Sequence, residues 1–573
     1  METMASVAVP EEDGYWTVHS SAQGPASIRN TLAGVLQTPA SRINVVTKRA
    51  GGGFGGKIMR SHPIAAAVTV AAKKLRRPVR MQLDRNTDII MTGKRHPYQN
   101  QYKVGFDETG KISTLQMQFY AEGGYNHDAS LGCMDMCMMW ADACYYFENY
   151  HIANKVCKTN NPSNTATRTP GAAQGIFTTE CVLEHVAHIV GKPVEAVRAL
   201  NFYKEGQLTP YREKLVDFNV PDCWSGVQAK ADWSSKLADV AAFNKANRWR
   251  KRGCSMIPVK YGAGDNGFQS ACILNAIAED GSVSVSTTGT EIGQGLYTKV
   301  AQAVAYKLKV SLDVVTVLPT ETAKTGNFGD TGGSATSESS VQAAIFACDE
   351  MLARLAPFMK PKEGKPATFH DGVMGAMGAG LPLTTYGYYN GDKTGNLKGT
   401  PPNAPRFNYF VYAAAVAVTE LDVLTGEIQV LSIDVVYDNG ISLNPKIDLG
   451  QIEGGLVMAL GWYMTEEIIS NPTTGVMQTN GTWDYHPPQS KDIPIEMNFH
   501  LLPNKPNAAG IVSSKFVGEP PMILANSIVF AAKRALYAAR EEAGDTSWFQ
   551  LDVPATPEKL QMLCGVTPAQ LTL

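Results

Sequence analysis

The sequence predicts a mixed fold of the α+β or α/β class, because the same succession of elements occurs in two distant places. Residues 45–47 are β-branched and predict a strand, residues 51–56 contain five glycines, and residues 64–75 have the alanine-rich pattern of a helix. A second strand is predicted at residues 281–286, with another glycine-rich turn at residues 289–295. Each turn therefore leads from a strand into a helix.

The glycine turns are the places where we expect a ligand. Glycine has no Cβ atom, so its backbone can take positive φ and bring N–H groups close to an anionic or oxo-bearing group. Gln294 ends the second turn, where its amide can pair with the donors and acceptors of a cofactor. A third loop, residues 329–340, leads into a helix predicted over residues 341–355, and its hydroxyls and N–H groups suit a phosphate.

Composition places the chain among globular proteins. Its 573 residues are 44% hydrophobic and 18% charged, which is enough for more than one core. A net charge of −2 predicts no nucleic-acid partner, and the apolar runs are too short for a membrane span. The ten cysteines contain no C-x-x-C pair and no secretory leader is recognised, so the cytoplasm is the expected location.

The first glycine turn can be compared with two nucleotide-binding motifs. It satisfies G-x-G-x-x-G, but no acidic residue follows before residue 83 to bind a ribose. It also satisfies G-x-x-x-x-G-K, yet Lys57 is followed by Ile58, where a P-loop needs Ser or Thr for magnesium. Both nucleotide interpretations fail at the residue that would perform the chemistry. A turn that only packs remains an alternative.

Five motifs in a fixed order identify a resemblance. They are GGGFGGK at residues 51–57, SNTATR at 163–168, GTEIGQG at 289–295, LGQIEG at 449–454 and VGEPP at 517–521. Together they resemble the molybdenum-cofactor region of the molybdenum hydroxylases, the family of xanthine dehydrogenase and aldehyde oxidase. The resemblance implies two molybdopterin-binding subdomains, a partial first one at residues 1–225 and a second at residues 226–573, with the cofactor pocket between them.

The resemblance also implies the site residues. Glu519 would be the catalytic general base, although by its spacing alone a carboxylate beside a helix N-terminus is usually a cap or a dipole partner. No side chain would bind the metal directly, because the pterin holds the molybdenum through its own sulfurs. The implied cofactor-binding residues are Gly53, Phe54, Gly55, Arg168, Gln294, Gly333, Ser334, Ala335 and Gln451.

The chain departs from the family at its start. Residue 1 resembles a point inside the molybdenum region, so the iron–sulfur domains, the FAD domain and a glutamine loop that contacts the metal's oxo group are expected to be missing. Iron–sulfur clusters and FAD would then be present only on a partner polypeptide or on a missing N-terminal region. A small-molecule substrate and a homodimer are the other partners that the resemblance implies. A non-catalytic structural or assembly subunit is the alternative function.

The substrate pocket also departs from the xanthine dehydrogenase pattern. Ile58 stands where those enzymes have a glutamate, and their purine-binding arginine falls in the segment around Met136 and Cys137. The aromatic residue expected after Arg168 is replaced by Thr169-Pro170, so Pro170 would line the pocket. The loss of both charged contacts predicts an aldehyde or an N-heterocycle as substrate. The Cys and Met residues of segment 133–139 suit copper, but a core or pocket wall is favoured.

Other segments carry weaker predictions. Residues 203–233 are polar and predict a link between the subdomains, and residues 359–406 predict surface loops. Residues 513–519 predict the end of a strand, and Gln451 is expected to open a helix.

Overall fold

The computed structural model describes residues 1–264, 269–361, 366–391 and 405–571. Its strands are β1 (Ala5–Pro10), β2 (Trp16–Ser20), β3 (Ile43–Thr47), β4 (Val79–Gln82), β5 (Tyr98–Phe106), β6 (Ile112–Gly124), β7 (Asn149–Lys158), β8 (Arg250–Ala263), β9 (Gln269–Ala276), β10 (Val283–Thr287), β11 (Val315–Val317), β12 (Thr320–Glu321), β13 (Thr384–Asn390), β14 (Tyr409–Asp422), β15 (Ile428–Asp438) and β16 (Glu496–Leu501).

Its helices are α1 (Pro25–Leu36), α2 (Ser61–Leu75), α3 (Arg85–Met91), α4 (Ser130–Trp140), α5 (Ala172–Val190), α6 (Val194–Asn201), α7 (Val220–Lys230), α8 (Trp233–Ala246), α9 (Leu296–Leu308), α10 (Thr336–Leu355), α11 (Phe369–Gly378), α12 (Pro445–Met464), α13 (Thr482–Tyr485), α14 (Pro521–Leu524), α15 (Asn526–Glu542) and α16 (Pro557–Cys564). The predicted α+β class is confirmed.

The described strands form four sheets, in the orders β12-β3-β2-β1-β4, β11-β10-β9-β13, β16-β15-β14-β8 and β5-β6-β7. The first sheet takes strands from distant parts of the chain, because Thr320 of β12 pairs with Thr47 of β3 and Glu321 pairs with Val46. A strand from beyond residue 225 therefore completes the sheet that precedes the first glycine turn.

The largest hydrophobic core is built on β8, β14, β15 and α15. A Cβ atom at Gly253 of β8 would overlap the carbonyl oxygen of Ala531, so α15 lies directly on the strand. The core contains side chains from both sides of the predicted boundary at residue 225, among them Trp224 and Val436. The packing therefore joins the two predicted subdomains over a wide area.

The segment predicted as a polar link contains a buried helix. In α7, Val220, Cys223, Trp224 and Val227 are buried at helical spacing against β14 and β15. The polar composition of the segment did not indicate this helix, because one apolar face is enough to bury it; the role of residues 203–233 as a link stays a prediction.

Three other element predictions need correction. Within residues 359–406 the chain forms α11, which begins at a capping box of Thr368 and Asp371, and β13, which pairs with β9. Residues 362–365 and 392–404 lie outside the described part. Residues 513–519 form only a single bridge, Gly440 with Ser514, instead of a strand end. The third loop enters its helix at Thr336, earlier than predicted.

One helical run, Pro521–Glu542, is long and apolar enough to cross a membrane by length and composition. However, 83% of its apolar window is buried inside the protein. Core helices of soluble proteins have the same composition, so this run gives only weak evidence for a span.

Candidate active site

The first glycine turn lies against the loop that contains Arg168. Phe54 and Gly55 have φ of +53° and +96°, and a Cβ atom at Gly55 would overlap the carbonyl oxygen of Ala166. Only glycine fits this contact. The N–H of Arg168 donates to the carbonyl oxygen of Phe54 at 2.8 Å. The turn and the loop are therefore packed as one unit.

The side-chain amide of Gln23, between β2 and α1, joins this turn to the third loop. Its Oε1 accepts from the N–H groups of Gly55 at 3.0 Å and Lys57 at 3.1 Å, and its Nε2 donates to the carbonyl oxygen of Thr331 at 2.8 Å. A Cβ atom at Gly53 would come within 2.8 Å of the amide. Gln23 is therefore a glutamine of this site in addition to the predicted Gln294 and Gln451. No local motif marks Gln23, so only its contacts reveal it.

The second glycine turn is bonded to both of the other loops. The N–H of Thr290 donates to Thr331 Oγ1 at 2.9 Å, and the N–H of Ala50 donates to the carbonyl oxygen of Glu291 at 3.0 Å. The three glycine-rich or hydroxyl-rich loops thus meet at one place, as the sequence predicted.

The predicted cofactor-binding residues of these loops differ from one another in contacts, backbone conformation and exposure. The Gln294 amide is turned onto its own loop, where Nε2 donates to Thr290 O at 2.9 Å and Oε1 accepts from the N–H of Ile292 at 2.7 Å. Gly333 and Ser334 both have φ of +60°, immediately before the helix α10. Phe54 remains 38% exposed, which leaves its ring available to a ligand.

The guanidinium of Arg168 fastens two further segments to the site. Its Nε donates to Gly518 O at 2.5 Å and its Nη2 donates to Gln451 O at 2.9 Å. Gln451 lies in the second turn of α12, which begins at Pro445, and does not open the helix as predicted. Burial lowers the pKa of Arg168 to about 10, although the nearby Glu519 opposes that shift. Arg168 therefore orders the site through main-chain carbonyls.

Glu519 is the carboxylate at the place where the first glycine turn, the Arg168 loop and the third loop meet, which we call the junction. Only 8% of the residue is exposed. Its Oε1 accepts from the N–H of Thr169 at 3.3 Å and its Oε2 accepts from the hydroxyl of Tyr261 at 3.2 Å. Burial raises the pKa of Glu519, and the hydrogen bonds of Thr169 and Tyr261, the charge of Arg168 and the Ser334 hydroxyl lower it only in part. The carboxylate is thus poised to exchange a proton.

Thr169 takes an unusual backbone conformation to make these contacts. Its φ is +63°, a region that costs a non-glycine residue roughly 1–2 kcal/mol. Its hydroxyl donates to the carbonyl oxygen of Glu519 at 2.8 Å, in addition to the bond from its N–H. The departure from the family pattern at Thr169-Pro170 therefore lies in direct contact with Glu519, and Pro170 beside it is buried.

Of the predicted substrate-pocket residues, Ile58 borders the third loop. A Cβ atom at Gly332 would lie 3.7 Å from Ile58 Cδ1. Met136 is half-buried on α4. Segment 133–139 is helical and largely buried, in agreement with the favoured interpretation as a core or pocket wall.

Cys137 lies deeper than its predicted role suggests. It is fully buried, and its thiol contributes to the electrostatic surroundings of Tyr98 and Tyr150. Cys133, one turn earlier on α4, is the thiol whose surroundings include Glu519.

The junction has the polar character that a phosphorylated cofactor requires. A cavity of about 260 Å³ opens between the second turn and the third loop, and its lining residues include Ser270, Thr288, Thr336 and Ser339. Within the described residues, the buried hydroxyls Thr290 Oγ1 and Ser340 Oγ have no hydrogen-bond partner. The described residues also contain no cluster of His, Cys, Asp or Glu that could hold a metal ion. The hydroxyls suit a polar ligand, and the Asp330 carboxylate also lines the cavity.

Comparisons with known proteins agree with this geometry. Two family models described as molybdopterin cofactor-binding domains match residues 1–202 and 226–494. Xanthine dehydrogenase of Drosophila pseudoobscura pseudoobscura is 40% identical over 567 residues, and xanthine dehydrogenase/oxidase of Mus musculus is 40% identical over 570 residues. Each alignment covers 98% of this chain but 42% of the relative. The chain thus spans less than half the length of these relatives.

Solved structures show the same fold at lower identity. Quinoline 2-oxidoreductase from Pseudomonas putida 86 superposes with a TM-score of 0.86 at 21% identity, over 99% of this chain and 75% of that chain. Aldehyde oxidoreductase from Desulfovibrio gigas gives 0.85 at 22% identity, over 98% and 59%. The chain therefore belongs to the molybdenum hydroxylase family, of which it contains the molybdopterin cofactor-binding region.

Proposed function

We propose that this chain is the cofactor-binding, substrate-oxidising part of a molybdenum hydroxylase, which hydroxylates a carbon of an aldehyde or N-heterocycle with oxygen from water. The observation that supports it is the Glu519 carboxylate, buried where the glycine turn, the Arg168 loop and the third loop meet. A buried carboxylate with a raised pKa and neutral donors suits a general base.

The residues of the junction would have distinct tasks. Phe54, Gln23 and Ser334 would hold the cofactor, with Arg168 ordering the segments around it. The molybdopterin cofactor, when bound, would supply a metal centre that accepts two electrons from the substrate. Glu519 would take the proton of the oxygen nucleophile, while burial excludes bulk water from its carboxylate.

Turnover also needs a route for the electrons. In each cycle the substrate carbon gains an oxygen from water and gives up two electrons, which must leave before the next cycle. We propose that iron–sulfur and flavin groups on a partner polypeptide, or on the remainder of a longer protein, accept them. The 42% coverage of the relatives is consistent with such a remainder.

The substrate class follows from the uncharged positions in the pocket. Ile58 and Met136 offer no charge to a purine, so an aldehyde or an apolar N-heterocycle should be oxidised in preference to xanthine. Competitive turnover of xanthine and benzaldehyde tests this, with Ile58→Glu as the variant and Ile58→Leu as its matched control. We expect the wild type to prefer benzaldehyde. Of the two variants, only Ile58→Glu should show increased turnover of xanthine relative to benzaldehyde. Preference of the wild type for xanthine would contradict the assignment.

Metal analysis of the purified chain separates the enzyme from a structural or assembly subunit. We expect molybdenum in about a 1:1 ratio to the chain, together with pterin fluorescence after oxidation. A stable fold that takes up neither metal nor pterin would favour the non-catalytic alternative.

A further inference from the structure

Arg95, between α3 and β5, lies beneath the loop that contains Arg168 and Thr169. Its Nη1 donates to the carbonyl oxygens of Thr167 at 3.0 Å and Thr169 at 3.3 Å, and its Nη2 donates to that of Arg168 at 2.7 Å. One side chain thus satisfies three successive main-chain carbonyls of a loop outside any regular helix or strand. The planar guanidinium supplies the several fixed donors that this arrangement needs.

The position of Arg95 is itself fixed from the opposite side. Its guanidinium stacks over the ring of Trp462, 4.3 Å from the ring centre, and Nη2 also contacts Met522 Sδ at 3.9 Å. Trp462 belongs to α12, and Met522 belongs to α14, which follows Glu519. Arg95 therefore connects the loop with two helices that border the carboxylate.

The loop presents its N–H to Glu519 in an unusual backbone conformation. Thr169 needs φ of +63° to direct its N–H to Oε1 and its hydroxyl to the main-chain oxygen of Glu519. Because a β-branched residue disfavours this region, the surrounding contacts must hold it there. The carbonyl contacts of Arg95 on both sides of the Arg168–Thr169 peptide are such contacts.

We propose that Arg95 is a positioning residue for the general base: it holds the carbonyls of Thr167, Arg168 and Thr169 so that Thr169 donates to Glu519. This inference rests on the proposed function only for its effect on turnover. The geometric part concerns the loop and the carboxylate, so it can be measured without catalysis.

The test compares Arg95→Lys with Arg354→Lys, each in the chain loaded with cofactor. Arg354 is a matched control, because its Nη1 also donates to two main-chain carbonyls, those of Pro382 and Thr384, on an exposed surface. Amide hydrogen exchange of residues 165–171 and infrared titration of the Glu519 carboxyl, with Glu519→Gln as the spectral reference, report on the site without turnover. Trp462→Leu is a second variant, in case Arg95→Lys does not fold.

We expect Arg95→Lys to keep the molybdenum content, to accelerate exchange of the loop by about tenfold or more, and to raise the pKa of Glu519. With an aldehyde substrate, kcat should fall by about 10- to 100-fold and the acid limb of kcat/KM should move to higher pH. Trp462→Leu should show the same changes at smaller size. The charged or titratable groups near Arg95 include Tyr463, Tyr485, Glu466, Cys133, Arg168, His96 and Tyr98.

Wild-type exchange and an unshifted Glu519 titration in folded Arg95→Lys or Trp462→Leu would overturn the proposal, as would equal changes in Arg354→Lys. If Arg95→Lys changes both readouts while the wild type oxidises neither an aldehyde nor a heterocycle, the positioning role stands and the proposed function fails. The two ideas are thereby separated.

Discussion

Two buried glutamates of this protein have opposite electrostatic surroundings. Glu184, on α5 in the largest core, is 2% exposed, and Glu519 is 8% exposed. Arg198 donates to Glu184 Oε1 at 2.9 Å and Arg534 donates to Oε2 at 2.8 Å. Burial raises the pKa of Glu184. The positive charges of Arg534, Arg198 and Lys533, in decreasing order of influence, together outweigh burial, so the pKa is lowered.

Among the described residues, no cation is hydrogen-bonded to the carboxylate oxygens of Glu519. Thr169 and Tyr261 are neutral donors, and the guanidinium of Arg168 is directed to the carbonyl oxygens of Gly518 and Gln451. Burial therefore remains the largest influence and the pKa of Glu519 is raised. In this pair, contact with two guanidinium groups, and not burial alone, gives Glu184 a lowered pKa where that of Glu519 is raised.

The largest expected effect comes from Glu519→Gln, which removes the base without removing its volume. We expect kcat to fall by about 10²- to 10⁴-fold, the usual contribution of a general base, at unchanged molybdenum content. Steady-state oxidation of an aldehyde measures it. Glu558→Gln, at an exposed position of α16, is the control and should retain full activity. Activity of Glu519→Gln close to that of the wild type would remove Glu519 from the mechanism.

Glu184→Gln should instead reduce the free energy of unfolding. Loss of one partner from a buried charge cluster leaves cations uncompensated, which costs about 3–5 kcal/mol. Because the folded-state pKa of Glu184 is depressed, its stabilisation is present above the unfolded pKa and is lost as pH falls through the folded value. Urea unfolding at pH 7 and at acidic pH should show a deficit that shrinks in acid.

The same unfolding measurement on Glu519→Gln sharpens the contrast. A carboxyl with a raised folded-state pKa stabilises below its unfolded pKa and loses that contribution as pH rises through the folded value. Glu519→Gln should therefore be at least as stable as the wild type at pH 7. Equal destabilisation by both substitutions would break the comparison between the two glutamates.

The smallest effect is expected from Tyr261→Phe, which removes one neutral donor from Glu519. Since the Tyr261 hydroxyl lowers the pKa of Glu519, its loss should raise that pKa further. The acid limb of kcat/KM should move to higher pH, because Glu519 with a higher pKa becomes protonated at a higher pH. Tyr306→Phe, at a side chain that is 82% exposed, should leave the limb in place.

Much of the local structure could be predicted because it depends on neighbouring residues. The strand, glycine turn and helix around residues 43–75 follow from β-branched, glycine and alanine patterns. Composition did not show the apolar face that buries α7, and it missed the capping box that starts the helix α11 in a glycine-rich segment. A helix face depends on the positions of its apolar residues, which average composition does not report.

The candidate site was predicted only as a set of residues. Its motif order identified Glu519, Arg168 and the glycine turn, and the structure brings these together. The sequence alone gave no sign that Gln23 reaches the first turn or that Arg168 is directed to main-chain carbonyls. Such contacts have no local pattern, because the partners are far apart in the chain.

The sequence by itself determined where the backbone can turn, which segments form strands and helices, and which family the motifs resemble, since these depend on residue type and short spacing. Only the tertiary structure decided the chemistry of Glu519. Its donor Thr169 is 350 positions away, and the Arg95 that steadies Thr169 is another 74 positions from that loop. The pKa of a buried carboxylate depends on which donors and charges surround it in space, and folding alone selects them.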